Sequence, residues 1–289
     1  MSVNTVPNKL FLKIAVPIDQ SEPSKKALAF ARMLAKHFGS HLELLHITRT
    51  RHSVYIPQGG WIPDRDVDRD TQYLSAVCAL MKAEGIAAEL IDEEGSLPCD
   101  IIEFIERSKP DLVVMGTHGR QSAARLFVGS IAEMAIRNVH APVLTIGPHV
   151  RAEAARHWAP RKILCVSSPS PSGVRLASYA KGIADGLGAT VHLLTMDGWS
   201  PGGDKEAGLR RFWLELEQLL PGWSPKAIDI KTAAEENSQN IIRAAEEVGA
   251  DLIVMGAHEG GALATHLSPG LVPRTLMVAR CPVLTMHEK

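Results

Sequence analysis

The residues best suited to chemistry lie between Met115 and Ser130. The chain there reads Met115-Gly116-Thr117-His118-Gly119-Arg120, then Gln121 to Val128, then Gly129-Ser130, a G-x2-G-x9-G-S spacing. Glycines such as Gly116 and Gly119 let a backbone take φ > 0 and come close to a ligand, and amide groups in such turns can form an anion-binding nest. Gly129 and Ser130 are placed to open a helix, whose first N–H groups and positive dipole end favour phosphate. Ser130 adds a hydroxyl donor, and Arg120, with Arg125 further along, adds positive charge. The chemistry is polyphosphate binding. Taken alone, the same glycines would serve as turn residues between a strand and a helix. A second residue, Asp19, ends an apolar run early in the chain, where a carboxylate can accept from ribose hydroxyls or an adenine amino group. Asp19-Gln20-Ser21 is equally good chemistry for capping a helix.

These residues need a scaffold, and the hydrophobic pattern supplies one. Leu10–Ile18 reads as a buried strand. Ser24 opens a helix carrying Ala27, Leu28, Ala31, Leu34, Ala35 and Phe38, closed by Gly39. His41–Ile47 is a second strand, followed by a polar loop with Gly59 and Gly60. Val67, Leu74, Val77 and Met81 mark a helix, Ala87–Ile91 a strand and Ile101–Arg107 a helix. Leu112–Met115 is a strand, Ile131–Arg137 a helix and Val143–Ile146 the last strand. Such alternation implies a parallel sheet with helices on both faces. In such sheets ligands sit at the carboxyl ends of the strands where strand order reverses, so the loops after strands one and four are the ones of interest.

The chain then repeats itself. Lys13-Ile14-Ala15-Val16 is echoed at Lys162-Ile163-Leu164-Cys165, Asp111-Leu-Val-Val-Met-Gly116 at Asp251-Leu-Ile-Val-Met-Gly256, and Pro142-Val-Leu-Thr at Pro282-Val-Leu-Thr. One long period means a duplicated domain and not a solenoid of short repeats. The expected domains are 1–150 and 160–289, joined by a solvated linker across Pro148–Arg161.

Pro17-Ile18-Asp19-Gln20-Ser21, the run from Val113 to Arg120, Gly129-Ser130 and Ala141-Pro142-Val143-Leu144 together resemble the universal stress protein family, twice over. The resemblance implies an α/β fold class: two flavodoxin-like, adenine-nucleotide alpha-hydrolase-like domains, each a five-stranded parallel sheet. It implies that ATP, with Mg2+, is bound in the first domain, with Pro17, Asp19 and Ile47 at the adenosine. Met115, Gly116, Gly119, Arg120, Gly129, Ser130 and Ile131 would line the phosphates or the adjoining wall. It further implies a stress-response role and pairing of the final strands, Val143–Ile146 with Val283–Met286, as an intramolecular pseudo-dimer on which a homodimer is built.

The second half departs from the pattern. Gly256-Ala257-His258-Glu259 stands where Gly116-Thr117-His118-Gly119 stands, Pro269-Gly270 where Gly129-Ser130 stands, and Ser168 where Asp19 stands. Glu259 brings negative charge to the phosphate position, and Pro269 lacks an N–H. Pairing Gly260 with Gly270 by a one-residue shift restores the last spacing but neither the Asp nor the Ser. The second half is therefore expected not to hold ATP in this manner.

Composition excludes several classes. Lys plus Arg (31) nearly balance Asp plus Glu (32), so there is no basic stripe for nucleic acid or a membrane surface. Cys78, Cys99, Cys165 and Cys281 are isolated in sequence and read as small buried hydrophobes. The first residues contain no apolar run after a basic start, and no run approaches the length of a membrane span, which points to a cytoplasmic protein. Asp64-x-Asp66-x-Asp68-x-Asp70 resembles the start of a calcium loop, but Arg69 and Ser75 replace its glycine and final glutamate. The strand-one loop lacks the Ser-Gly-Gly-x-Asp-Ser nest of adenylating enzymes, and no positioned nucleophile–base pair is evident. The expectation is a binding protein, with a slow ATPase or an assembly scaffold whose second domain takes another ligand as the alternatives.

Overall fold

The computed structural model describes residues 10–48, 54–56, 60–62, 65–95, 98–117, 128–196, 205–228, 238–257 and 270–287. In the first half, β1 (Lys13–Pro17), α1 (Glu22–Phe38), β2 (His41–Thr48), β3 (Val54–Ile56), β4 (Gly60–Ile62), α2 (Arg65–Ala83), β5 (Ala88–Glu94), α3 (Cys99–Ser108), β6 (Leu112–Gly116), α4 (Ser130–Asn138) and β7 (Val143–Ile146) follow in order. The second half has β8 (Lys162–Ser167), α5 (Pro171–Leu187), β9 (Thr190–Thr195), α6 (Lys205–Leu219), β10 (Lys226–Ile228), α7 (Ser238–Val248), β11 (Leu252–Ala257), α8 (Leu271–Val278) and β12 (Val283–His287).

All strands but β3 and β4 form one ten-stranded sheet, ordered β10-β9-β8-β11-β12-β7-β6-β1-β2-β5. Within each half the strands are parallel, in the order 3-2-1-4-5 counted along that half's own sheet strands. The direction of winding reverses between the first and fourth strands. The strands are buried on both faces because their side chains alternate. Ile14 and Val16 enter the core beneath α1 and α2, while Ala15 enters the core beneath α3 and α4. Corresponding helices cover the second half in the same way, α5 and α6 on one face and α7 and α8 on the other.

The two halves join where the last strands meet. β7 and β12 pair antiparallel, with Leu144 opposite Leu284, flanked by Val143–Thr285 and Thr145–Val283. The pairing expected from sequence is present, and it leaves no open edge at either final strand. The Pro142 carbonyl accepts from the Val113 N–H at 2.9 Å, so residues 142 and 144 face β6. Residues 143 and 145 therefore carry the bonds to β12, since neighbouring strand residues point their polar groups to opposite edges.

Several boundaries differ from the sequence reading. β1 starts only at Lys13, because Phe11 turns the chain at φ 58. α1 opens at Glu22 under an N-cap from Ser21, which accepts from the Ser24 N–H, so Ser24 is the third helical residue. Gly60 belongs to an antiparallel hairpin, β3 with β4, where a polar loop was expected. Cys99 is exposed at the start of α3, unlike buried Cys78 and Cys165. Burial pushes the Cys165 and Cys281 thiols up to about 12, which keeps them inert.

The segment between the halves is packed and not a solvated linker. It contains a 3-10 helix, Ala152–His157, and buries Val150 and Ala155. Trp158 meets Phe30 edge-on at 5.0 Å and donates to the Asp251 carbonyl at 3.2 Å, tying α1 of one half to the other. Lys26 donates to the Val150 carbonyl at 2.7 Å, and His37 to the Gly186 carbonyl of α5 at 3.0 Å.

Candidate functional site

The strand order reverses between β1 and β6, and the sequence candidates gather at the carboxyl ends of the strands there, where sheets of this kind bind ligands. Pro17 ends β1, Met115 and Gly116 end β6, and Ile47 lies one residue before the end of β2. Asp19 follows β1 directly. Gly129 caps α4, whose first residues are Ser130 and Ile131. Ile47 and Met115 are buried in the same apolar cluster as Ala132 of α4, so the strand ends and that helix form one wall. Gly119 and Arg120 lie outside the described residues.

The β1–α1 turn is held by a closed set of bonds. The Ile18 N–H donates to the Leu45 carbonyl at 2.8 Å, and the Ile18 carbonyl accepts from His46 Nδ1 at 2.9 Å. The Asp19 N–H donates to Ser24 Oγ at 3.0 Å, while the Ser24 hydroxyl donates to the Asp19 carbonyl at 2.5 Å. One Asp19 carboxylate oxygen accepts from the Ser21 N–H at 2.9 Å and from the Ser21 hydroxyl. Asp19 thus does form the turn that the capping alternative anticipated. That turn also fixes the direction of its carboxylate.

Gly116 has a packing reason beside the one its spacing suggested. It is the last residue of β6, opposite Ile146 of β7, and a Cβ there would lie 2.7 Å from both Cβ and carbonyl oxygen of Pro23. Its missing side chain lets the first turn of α1 pack over the end of β6. Pro23 was not singled out in the sequence, although a proline at the second helical position is a usual entry signal. Gly129 is extended, at φ −64 and ψ 152, and its N–H donates to the Thr117 carbonyl at 2.6 Å, closing the neck of the 118–128 loop. Its N–H is therefore used internally. The groups presented at the helix start are the N–H groups of Ser130, Ile131 and Ala132, with no side-chain cap from Gly129.

In the second half the corresponding strand ends are built differently. Ser168, Ser170 and Ser172 form a hydroxyl chain at 2.8 and 2.9 Å, with Ser170 capping the Gly173 N–H at 3.1 Å. A Cβ at Gly173 would lie 2.0 Å from the Ser168 carbonyl, so helix and turn are in direct contact. The cap of α8 is Gly270, left-handed at φ 82, and Leu271 occupies the first helical position that Ser130 holds in α4. The C-caps Val139 and Ala279 and the buried faces of the two helices correspond without the shift, so α8 begins one residue later than α4. Pro273, the third residue of α8, removes one more N–H from the helix start. Glu259, Gly260 and Pro269 lie outside the described residues.

The described residues hold one histidine–carboxylate cluster, His41, Glu43 and Glu89, at the opposite, amino ends of β2 and β5. Glu43 is already engaged there by Lys13 at 3.0 Å and by the Ser108 hydroxyl.

The fold and the site define a tandem, doubly wound α/β protein joined through its final strands. The sequence profile of the universal stress protein family matches residues 11–147 and again residues 160–287. The chain belongs to the universal stress protein family, in a two-domain form. A universal stress protein of Methanocaldococcus jannaschii is 32% identical over 140 residues, covering 47% of this chain and 82% of that one. A universal stress protein of Mycolicibacterium smegmatis is 24% identical over 295 residues, covering 96% of this chain and 97% of its own. A solved universal stress protein from Archaeoglobus fulgidus superposes with a TM-score of 0.72, at 20% identity, over 98% of this chain and all of that one. That likeness speaks to the fold. No helix among the described residues is long and apolar enough to cross a membrane.

Proposed function

We propose that the first half binds ATP, with Mg2+ on its phosphates, and that occupancy of this site sets the conformation or partner choice of a regulatory stress protein. The observation that carries the reading is the convergence at one strand reversal of a carboxylate fixed at Asp19 and a helix start free of a side-chain cap at Ser130. Asp19 and Pro17 would face the adenosine, with Ile47 as apolar wall. Ser130, Ile131 and Gly116, with Gly119 and Arg120 from the 118–128 loop, would surround the phosphates. The second half would leave its site without ATP: its turn is closed on itself by serine hydroxyls, and its helix start lacks both the serine and one N–H. This is a binding role, with slow hydrolysis as the competing reading. Further association of two chains as a homodimer would use surfaces other than β7 and β12, which are already paired with each other.

Purified protein is expected to release about one ATP per chain on denaturation, read by mass spectrometry. Release of no adenine nucleotide, together with no heat of ATP binding in calorimetry, would overturn the reading. Ser130→Ala tests the phosphate contact. A hydrogen bond to a charged group contributes about 1.5–3 kcal/mol, so the dissociation constant should rise roughly 10- to 100-fold. An unchanged constant would mean that the hydroxyl does not touch phosphate.

A further inference from the structure

We infer that Ser24 and His46 are positioning residues for Asp19, and that they make the β1–α1 turn competent to recognise adenosine. The inference rests on the ATP reading of the first half. A carbonyl oxygen can only accept, so the contact between the Ile18 carbonyl and His46 Nδ1 at 2.9 Å fixes a protonated Nδ1. His46 is buried on β2 between Leu45, which binds the Ile18 N–H, and Ile47, the apolar wall of the site. Both polar backbone groups of Ile18 are thus taken by neighbouring residues of one strand. Both polar backbone groups of Asp19 are taken by a single hydroxyl, Ser24 Oγ. The residue that would meet the ligand is held by its own backbone and its predecessor's, and its carboxylate is aimed in part by Ser21.

The second half is an internal control. Pro17 faces Leu45 in the first half as Val166 faces Leu194 in the second. On that register Ile18 corresponds to Ser167, Asp19 to Ser168, His46 to Thr195 and Ser24 to Gly173. The Ser167 carbonyl accepts from the Met196 backbone N–H at 2.9 Å, in place of an imidazole. The Ser168 carbonyl lies against Gly173, in place of a serine hydroxyl. Asp, His and Ser are therefore exchanged together, and the turn that results is closer to its helix.

The test is a double-mutant cycle on the full chain, with ATP as ligand and calorimetry as readout. His46→Thr and Ser24→Gly each copy the second half; the first removes one neutral hydrogen bond from the turn, the second the two that Ser24 Oγ makes to the Asp19 backbone. His46→Thr should weaken ATP binding about 3- to 10-fold and Ser24→Gly about 5- to 50-fold, with His46→Asn, which keeps an amide donor near the Nδ1 position, recovering most of the His46 loss. Either change made in an Asp19→Ala background should cost less than about 2-fold, because residues acting through one group are not additive. Full additivity in that background, or wild-type affinity in both single variants, would overturn the positioning role while leaving ATP binding intact. Absence of ATP binding by the wild-type chain would instead overturn the reading on which the inference stands. Having two single variants guards against one failing to fold, which a melting curve would reveal.

Discussion

Gly119→Glu is expected to abolish ATP binding by the full chain. The change copies Glu259 of the second half into the loop that joins β6 to α4. The Gly129 N–H and the Thr117 carbonyl are bonded at 2.6 Å, which brings the two ends of the 118–128 segment together beside the helix start. A carboxylate about 4 Å from a phosphate oxygen near a protein surface is repelled by about 4 kcal/mol, on the order of a 1000-fold loss in affinity. The uncharged Gly119→Ala should lose much less, and the difference between the two separates charge from bulk. Calorimetry giving Gly119→Glu a dissociation constant within a few-fold of wild type would remove the 116–130 loop from the site.

The second large effect is expected at the join between the halves. A Cβ at Gly147 would lie 2.5 Å from the Leu276 carbonyl oxygen, a backbone atom of α8 that cannot swing aside. Gly147→Val therefore has to push α8 away from β7 or distort the end of β7. Overpacking of this kind costs about 1–3 kcal/mol, which for a chain of this size corresponds to a fall in melting temperature of roughly 2–5 °C. The damage should concentrate between the halves. Limited proteolysis should cut between Pro148 and Arg161, where Trp158 and the 3-10 helix are no longer held. Thr145→Pro should act in the same direction, because residue 145 presents its N–H to β12. Proline at Leu144 would instead break the ladder to β6 inside the first half. An unchanged melting curve and intact 148–161 segment in Gly147→Val would show that the join tolerates what its geometry forbids.

How much of this was legible beforehand depends on the range of the interaction. The duplication, the strand–helix alternation and the β7–β12 pairing were readable, because apolar periodicity and repeated Pro-Val-Leu runs are local records of burial. Asp19, Gly116, Gly129 and Ser130 stood out as candidates because strand ends and glycine spacing are local too, while Pro17, Ile47, Met115 and Ile131 were candidates only through the family resemblance. The packing demand on Gly116 was not legible, since it lies in Pro23, far away in sequence but 2.7 Å from where a side chain would begin. His46 looked like one polar residue in an apolar strand, and only the register of β1 on β2 brings its ring to the Ile18 carbonyl. The segment 148–161 read as solvated because Arg, His and Ala are polar or small, whereas Trp158 finds Phe30 only when both halves are folded.

The sequence by itself determined the class of element at almost every position, the existence of two homologous halves and the chemistry available at the 116–130 loop. Those properties follow from side-chain size, charge and φ preference, which each residue carries with it. Tertiary structure decided which glycines serve packing and which serve the helix start, which residue of the second half stands in for Ser130, and which edge of β7 each backbone N–H addresses. Those depend on register, and register is set only when the buried faces of distant segments interlock.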